Sequence, residues 1–268
     1  MLSITRHHDR RIVRVEINRP EKRNALNGTL VAELTHALND LSADESLRVI
    51  ELSGAGKVFS AGADLDALRT MREASYEQNL DDSRLLAGLF TTMRTIPVPI
   101  VARVHGHAIA GGCGLVAASD IVVSGHSPRF GFTEVRIGFV PALVSVLLRG
   151  RVPDGIVREL FLTGRLVDAS EACRMGLVHH CVKDDELDER LDEVSRSIAR
   201  NTSRTAVAQT KALMHGDPVL FDSEMEAAAA MNATARGSAE CRAGVDAFLN
   251  RNDAPWVRAW DADHVDRA

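Results

Sequence analysis

The stretch HGHAIAGGCGLVAASDIVVSGHSPRFGFTE, residues 105–134, decides how the rest of this chain is interpreted. It contains a glycine-dense turn at 111–114, an apolar run at 115–118, a strand-like segment and then one acidic residue, Glu134. Glycine tolerates positive φ and lets a ligand approach the bare backbone. The turn leads into a predicted buried helix, and the unpaired N–H groups at a helix start suit an oxygen that gains negative charge.

Glu134 is the candidate acid of this stretch, between Thr133 and the apolar Val135. Burial at such a position raises the pKa of a carboxyl group into the range that is useful for acid–base catalysis. A single glutamate is more often a surface carboxylate, and clustered glycines also serve tight helix–strand packing. The residues alone therefore predict an anion-stabilising loop with one candidate acid, and they leave both structural alternatives open.

A second glycine-rich loop, GAGKVFSAGAD at 54–64, lies upstream. It follows a predicted strand at 49–53 and precedes a predicted helix at 65–72. The chain thus presents strand–loop–helix twice, each time with small residues at the corner. This repetition indicates two facing loops of one site.

The N-terminal segment carries strand signals. Apolar residues alternate with charged ones from 13 to 17, which is the period of a half-buried strand. Residues 2–8 and 11–18 are therefore predicted to be two strands joined at Asp9 and Arg10.

The composition is that of a globular protein, with 268 residues, 45% hydrophobic and 26% charged. The net charge is −5 and no long basic run occurs, so nucleic acid is not an expected partner. No apolar stretch resembles a signal peptide or reaches the roughly 20 residues of a membrane span. Four scattered cysteines indicate reduced thiols in the cytoplasm. His105 and His107 lack a third ligand nearby, so no metal site is predicted.

The sequence changes in character near residue 201. Strand signals end there, and the remainder predicts helices with an apolar face. The residues spaced for that face are Phe221, Met225, Ala228, Met231 and Ala235. So short a helical tail can hardly form a core alone, so we expect it to pack on another surface, a neighbouring subunit. Two domains are predicted, 1–200 and 201–268.

Several spaced motifs together resemble the enoyl-CoA hydratase/isomerase (crotonase) family. They are NRP at 18–20, NAL at 24–26, FSAGADL at 59–65, HGHAIAGGC at 105–113, FGFTE at 130–134, SAE at 238–240 and AFL at 247–249. The resemblance covers nearly the whole chain in order. It implies an α/β fold, a crotonase-type spiral of repeated ββα units, followed by an all-helical C-terminal trimerisation domain. It also implies a homotrimer or a hexamer made of two trimers.

The resemblance implies a ligand as well, an acyl-CoA thioester that brings coenzyme A as part of the substrate, with no separate cofactor. In that family two backbone N–H groups grip the thioester oxygen, and these map to Ala61 and Gly111. Glu134 matches a catalytic glutamate. The residues implied to bind substrate are Lys22, Arg23, Ala25, Ala63, Asp64, Leu65, Gly112 and Gly114.

The chain departs from the family pattern at Gly114, where hydratases of the family carry the first of two glutamates. With two carboxylates, one can activate water while the other delivers a proton. With Glu134 alone, the simplest chemistry is a shuttle that takes a proton from C2 and returns it to C4, as in enoyl-CoA isomerases. The segment EVRIGFVPA at 134–142 nevertheless is similar to the branch that acts on branched, carboxylated enoyl-CoAs such as methylglutaconyl-CoA.

Hydration of an enoyl-CoA is therefore the leading expectation, Δ3–Δ2 isomerisation the second and a non-catalytic acyl-CoA-binding trimer the third. The segment 66–95 is expected to line the acyl pocket, with Met71, Tyr76 and Leu80 among its residues. These side chains do not specify the length or branching of the acyl chain.

Overall fold

The computed structural model describes residues 1–8 and 11–265. The predicted turn at Asp9 and Arg10, and residues 266–268 of the predicted C-terminal domain, lie outside the described residues. The strands are β1 (Leu2–His7), β2 (Ile12–Ile17), β3 (Val49–Gly54), β4 (Ile100–Val104), β5 (Ala108–Ile109), β6 (Ile121–Ser124), β7 (Arg129–Gly131), β8 (Leu166–Asp168) and β9 (His180–Cys181). The helices are α1 (Gly28–Ser42), α2 (Leu65–Glu73), α3 (Tyr76–Thr95), α4 (Gly111–Ala118), α5 (Ala142–Leu148), α6 (Asp154–Thr163), α7 (Ala169–Arg174), α8 (Leu187–Asn201), α9 (Arg204–Met214), α10 (Pro218–Arg236), α11 (Ala239–Leu249) and α12 (Pro255–Val265).

A six-stranded sheet in the order β1-β2-β3-β4-β6-β9 forms the centre of the fold. Strands β1 and β2 are antiparallel, and every other neighbouring pair is parallel. Strand β3 is buried along its whole length, as expected for a parallel strand that is covered on both faces. The main core lies on one face of the sheet, and a smaller cluster that includes Leu187 and Leu191 of α8 covers the other.

A second sheet of three short strands, β5-β7-β8, positions Gly111 and Glu134, which follow β5 and β7. Strands β5 and β7 are parallel, with Ala108 opposite Phe130 and Ile109 opposite Gly131. Parallel strands end at the same edge of a sheet. The start of α4, which follows β5, and the 3₁₀ turn at Glu134–Ile137, which follows β7, are therefore brought to one edge.

The helices that surround this edge begin at well-defined caps. The side chain of Asp64 accepts a hydrogen bond from the second residue of α2, and Ser75 with Gln78 forms a complete capping box on α3. Asp217 caps α10, and Pro218 occupies its first turn, where a missing N–H costs nothing. The caps thus define the first residues of α2, α3 and α10.

The C-terminal helices fold back on their own chain. Helix α10 packs against α3 and α5, and α11 packs against α2 and the turn that begins at Glu134. Phe221 and Met225 of α10 belong to the main core cluster. Helix α10 thus closes the core over α3 of its own chain, and the expected packing of the tail on a neighbouring subunit stays a prediction.

The predicted apolar face of α10 is also displaced at its C-terminal half. Met231 is 56% exposed, whereas Asn232 and Arg236 are buried. The buried face follows helical spacing from Ala228 through Asn232 to Arg236, so it becomes polar in its last two turns. Among the described residues, no helix combines the length and the apolarity needed to cross a membrane.

Candidate active site

A cavity of about 680 Å³ lies between the two glycine-rich loops, the helices α2 and α3, and the C-terminal helices. Of the residues that the sequence predicts for the site, the cavity wall contains Lys22, Arg23, Ala25, Ala61, Ala63, Asp64, Leu65, Gly111 and Glu134. Gly112 and Gly114, which the sequence also predicts to bind substrate, are not part of the wall.

The two glycine-rich loops are held against each other by backbone hydrogen bonds. The Ser60 N–H donates to the His107 carbonyl at 3.2 Å, and the Ile109 N–H donates to the Ser60 carbonyl at 3.0 Å. A Cβ atom built on Gly62 would lie 2.8 Å from the Ile109 oxygen and 3.5 Å from the Gly111 nitrogen. The loops are thus in direct contact, and only a residue without a side chain fits at 62, where φ is +85°.

The predicted donor Ala61 is not free. Its N–H donates to the carbonyl of Arg23 at 3.1 Å. Ala63 and Gly111, in contrast, donate no backbone hydrogen bond to any described residue. The prediction of Ala61 as a free donor was therefore wrong, because its N–H ties its loop to the segment at Arg23.

The backbone pairing of Leu26 with residues 62–64 explains why the N–H of Ala63 has no hydrogen-bond partner. Leu26 accepts from the Asp64 N–H at 2.9 Å and donates to the Gly62 carbonyl at 2.7 Å. In an extended segment, the groups of successive residues face opposite sides. The N–H of Ala63 consequently lies on the side away from Leu26, and the N–H of Gly111 is unpaired because it begins a helix.

Gly112 and Gly114 serve packing rather than ligand contact. A Cβ on Gly112 would lie 2.4 Å from the Ser60 oxygen, and a Cβ on Gly114 would lie 2.5 Å from Cζ of Phe90. Both glycines are buried. They allow α4 to approach the first loop and α3 closely, which is the packing role that the sequence left open for clustered glycines.

Glu134 is buried, with 7% of its surface exposed, and it lies in the cavity wall. Burial raises the pKa of its carboxyl group to about 7, and a hydrogen bond to its own backbone offsets part of this rise. Its Oε2 atom has no hydrogen-bond partner among the described residues. The carboxyl group is therefore held near the pKa at which it can both accept and release a proton at neutral pH.

Basic side chains stand at the mouth of the cavity. Lys22, Arg23 and Arg251 are exposed and belong to its wall. Lys22 is 3.0 Å from Asp66, whereas Arg23 makes no ion pair within the described chain. Arg251 was not predicted, because it follows the last motif, AFL at 247–249, and is far in sequence from Lys22 and Arg23.

The carboxylate of Asp64 is engaged within the protein. Arg19 Nη2 donates to it at 2.7 Å, and the Asp66 N–H donates to it at 2.9 Å. Asp64 is 3% exposed. Its side chain therefore stabilises the loop that presents Ala63, and only its backbone is available to a ligand.

The inner part of the cavity is formed by α2, α3 and α10. Of the acyl-pocket residues named from the sequence, Met71 is in the wall, but Tyr76 and Leu80 are not. The wall also contains Leu68, Asp82, Leu86 and Phe90 of the predicted acyl-pocket segment 66–95, and two residues that were not predicted, Asn232 and Arg236. Helical spacing from Ala228 would have pointed to the last two.

The model of the enoyl-CoA hydratase/isomerase family matches residues 7–259 of this chain. The chain belongs to that family. A Thermus thermophilus protein named "Putative enoyl-CoA hydratase" is 40% identical over 238 residues, which are 88% of this chain and 94% of that protein. The rat protein named "Enoyl-CoA hydratase domain-containing protein 3, mitochondrial" is 32% identical, over 95% of this chain and 84% of its own.

A solved structure supports the same assignment for this hydratase/isomerase family member. The crystal structure described as a putative enoyl-CoA hydratase from Mycobacterium avium paratuberculosis K-10 superposes with a TM-score of 0.86 at 33% identity. The match covers 96% of this chain and 99% of that one. The crotonase-type α/β fold implied by the sequence motifs is thus confirmed, and so is the family.

Proposed function

We propose that this protein is an enoyl-CoA hydratase that holds the thioester oxygen with two backbone N–H groups and moves protons with Glu134. The observation that carries this proposal is a buried glutamate with a pKa of about 7 in the same cavity as two unpaired amides, Ala63 and Gly111. Membership of the hydratase/isomerase family supports it.

The two amides would act on the charge that develops during the reaction. Addition of water to the C2–C3 double bond turns the thioester into an enolate, whose negative charge is carried by the thioester oxygen. Preorganised N–H donors stabilise that charge more in the transition state than in the ground state. One such donor typically contributes about 3–4 kcal/mol to lowering the barrier.

Glu134 would serve both proton transfers of the hydration. The carboxylate takes a proton from water while the hydroxyl oxygen bonds to C3, and the resulting carboxylic acid gives that proton to C2 of the enolate. One water is consumed, and the glutamate returns to its ionised form. A pKa of about 7 suits both directions of transfer, because neither form of the group is strongly disfavoured at neutral pH.

The mouth of the cavity would hold the coenzyme A portion. Lys22, Arg23 and Arg251 place positive charge where a phosphate-bearing ligand would enter. Such charges bind phosphate oxygens by charge-assisted hydrogen bonds. The backbone around Ala63 to Leu65 would receive the adenine end, as the family resemblance implies.

Isomerisation is the second candidate, and one observation favours it. Phe90 fills the space at Gly114, so a second carboxylate has no room at the position where hydratases of the family carry one. A Δ3–Δ2 isomerase needs only one group, which would remove the C2 proton and return it at C4. Glu134 can perform that shuttle without a bound water.

Isotope incorporation separates these reactions. The purified protein is incubated with crotonyl-CoA and with 3-hexenoyl-CoA, in ¹⁸O-water and in a parallel D₂O run, and the products are analysed by mass spectrometry. One ¹⁸O per product establishes hydration. Deuterium uptake in the D₂O run without ¹⁸O uptake in ¹⁸O-water identifies an isomerase, and no label in either substrate would favour a non-catalytic acyl-CoA-binding protein.

The C-terminal helices support a proposed homotrimer or hexamer. Exposed apolar side chains cluster in α9 and α10, and they are Leu213, Met214, Val219, Leu220 and Met231. Large exposed apolar patches mark association surfaces. Light scattering coupled to size exclusion gives the mass directly. A cytoplasmic location remains a proposal, for which the four unpaired thiols are the supporting observation.

A further inference from the structure

The end of the cavity between α3 and α10 is polar, although most of its inner wall is apolar. Three side chains give it this character: Asp82 from α3, and Asn232 and Arg236 from α10. Arg236 is 9% exposed and Asn232 is 4% exposed. Buried side chains of these types are uncommon in a cavity meant only for a hydrocarbon chain.

The hydrogen-bonding capacity of Arg236 is largely unused. Its Nη1 donates to Asp82 at 2.6 Å and makes a long contact of 3.4 Å with the Asn79 carbonyl. Its Nε is buried without a partner, and Nη2 makes no hydrogen bond to a described residue. The guanidinium carbon lies 5.3 Å from the centre of the Phe139 ring, which positions the group without satisfying its donors.

Asn232 has the same unsatisfied character. Its Oδ1 is buried without a partner, and its side-chain amide donates to no described residue. It precedes Arg236 by one helical turn, so both side chains are on one face of α10. Unpaired buried polar groups are costly, and in a cavity wall a bound polar ligand or water can complete their hydrogen bonds.

The charge balance of this cluster leaves room for one more anion. Asp82 neutralises Arg236 formally, but its side chain is 53% exposed, so water screens that carboxylate. Arg236 itself is shielded from water. The cavity wall also contains the apolar side chains of Leu68, Met71 and Phe90.

We propose that Arg236, assisted by Asn232, is a specificity-determining group that selects acyl chains carrying a carboxylate. The guanidinium fork presents parallel N–H donors that match a carboxylate in a bidentate arrangement. A site built to hydrogen-bond a substrate group strongly rejects the analogue that lacks it, because its buried polar groups then stay unpaired. This inference rests on the proposed function, since it concerns the acyl group of the same thioester.

Matched substrates and variants test the proposal. Pent-2-enedioyl-CoA and hex-2-enedioyl-CoA end in a carboxylate, and hex-2-enoyl-CoA and hept-2-enoyl-CoA are their methyl-terminated counterparts. The test variant is Arg236→Met, which keeps the bulk of the side chain without its charge. The control is Arg84→Met, because Arg84 also joins α3 to α10, through Glu226, but it is exposed and outside the cavity.

We expect the wild-type protein to have the higher kcat/KM for at least one carboxylated substrate of the two pairs. Arg236→Met should lower that value about 10- to 100-fold, the loss typical of a hydrogen bond to a charged group. The methyl-terminated counterparts should change less than about threefold, and Arg84→Met should leave the ratio of the two classes unchanged. An equal loss for both classes, or wild-type preference for both methyl-terminated substrates, overturns the proposal.

Binding of unreactive thioesters keeps the result independent of catalysis. Glutaryl-CoA and adipyl-CoA are compared by calorimetry with hexanoyl-CoA and heptanoyl-CoA, in the wild-type protein and in both variants. A preference for a dicarboxylic thioester that only Arg236→Met abolishes supports the subsite even if no enoyl-CoA is hydrated. Equal affinities throughout, in a protein that hydrates crotonyl-CoA, reject the subsite and leave the proposed function standing.

Discussion

The ring of Phe90 occupies the space into which any side chain at Gly114 would project, since a Cβ there would lie 2.5 Å from Cζ of the ring. Phe90 is fully buried, so it cannot move aside without disturbing the core. The absence of a second glutamate is therefore part of the packing between α3 and α4. Restoring a carboxylate at 114 requires a change at Phe90 as well.

A double-mutant cycle measures how strongly Phe90 restricts the space at Gly114. Gly114→Ala should reduce the free energy of unfolding by about 1–3 kcal/mol in the wild-type background through overpacking. The cost should fall by at least about 1 kcal/mol in a Phe90→Leu background, where the ring atoms are gone. Urea unfolding measures all four proteins, and the helix propensity gained by alanine cancels in the cycle. Equal costs in both backgrounds would show that Phe90 does not close this position.

Replacement of Glu134 tests the proton transfer. Glu134→Gln keeps the size of the side chain but cannot exchange protons, so kcat should fall roughly 100- to 10,000-fold. The affinity for coenzyme A should stay nearly unchanged, because the substitution leaves Lys22, Arg23 and Arg251 in place. Glu21→Gln, at that mouth, is the control and should retain its activity. Turnover by the Glu134 variant within a few-fold of wild type would exclude Glu134 as the base.

The pH dependence of the rate should follow the same group. The proposed hydration begins with an ionised Glu134, whose pKa is raised to about 7 by burial. We expect kcat/KM for crotonyl-CoA to rise with pH and to level off above a midpoint near 7. A midpoint near the ordinary glutamate value of 4.5 would contradict a buried base.

Stability should change with pH in the opposite direction. Between pH 4.5 and about 7 the folded protein binds the Glu134 proton and the unfolded chain does not, so stability falls as pH rises. Glu134→Gln removes this contribution. The variant should therefore gain stability relative to wild type across that interval, reaching roughly 3 kcal/mol above pH 7. Denaturant unfolding at pH 4.5 and pH 8 measures the difference, and a constant offset at both values would refute the assignment.

The Gly111 amide can be removed without breaking the helix. Gly111 is the first residue of α4, where proline is tolerated because that N–H has no intrahelical partner. Ala110 has φ 50° and ψ −119°, which a proline at 111 disfavours, so circular dichroism first checks that Gly111→Pro is folded. The folded variant should lose about 100- to 1,000-fold in kcat. Gly111→Ala retains the N–H and would place its Cβ 3.2 Å from Leu26, so it is the matched control. Similar kcat values for a folded proline variant and the alanine variant would rule out this donor.

The sequence predicted the fold and the two loops well, because their signals are local. Glycine spacing and strand–loop–helix order marked both corners, and Glu134 follows its strand within a few residues. The donor at Ala61 was misassigned, since a sequence does not reveal that Arg23 already accepts that N–H. Which of two neighbouring amides is free depends on contacts with a distant segment.

The inner end of the cavity was missed for a different reason. The spacing of apolar residues in α10 predicts that Met231 is buried, but Met231 is exposed. The buried face continues through Asn232 and Arg236. A search for apolar residues passes over buried polar ones, which are the residues that tell one ligand from another. The role of Phe90 beside Gly114 was also not predicted, because it depends on how closely α3 and α4 approach.

Helix α10 seals the hydrophobic interior with its first half and lines the cavity with Asn232 and Arg236 of its second. A chimera that exchanged this helix between relatives would transfer chain selectivity together with the determinants of folding. A chain truncated before residue 218 would lose both at once. Under the proposed function, single substitutions in the second half of α10 can therefore change substrate preference while its first half keeps the core closed.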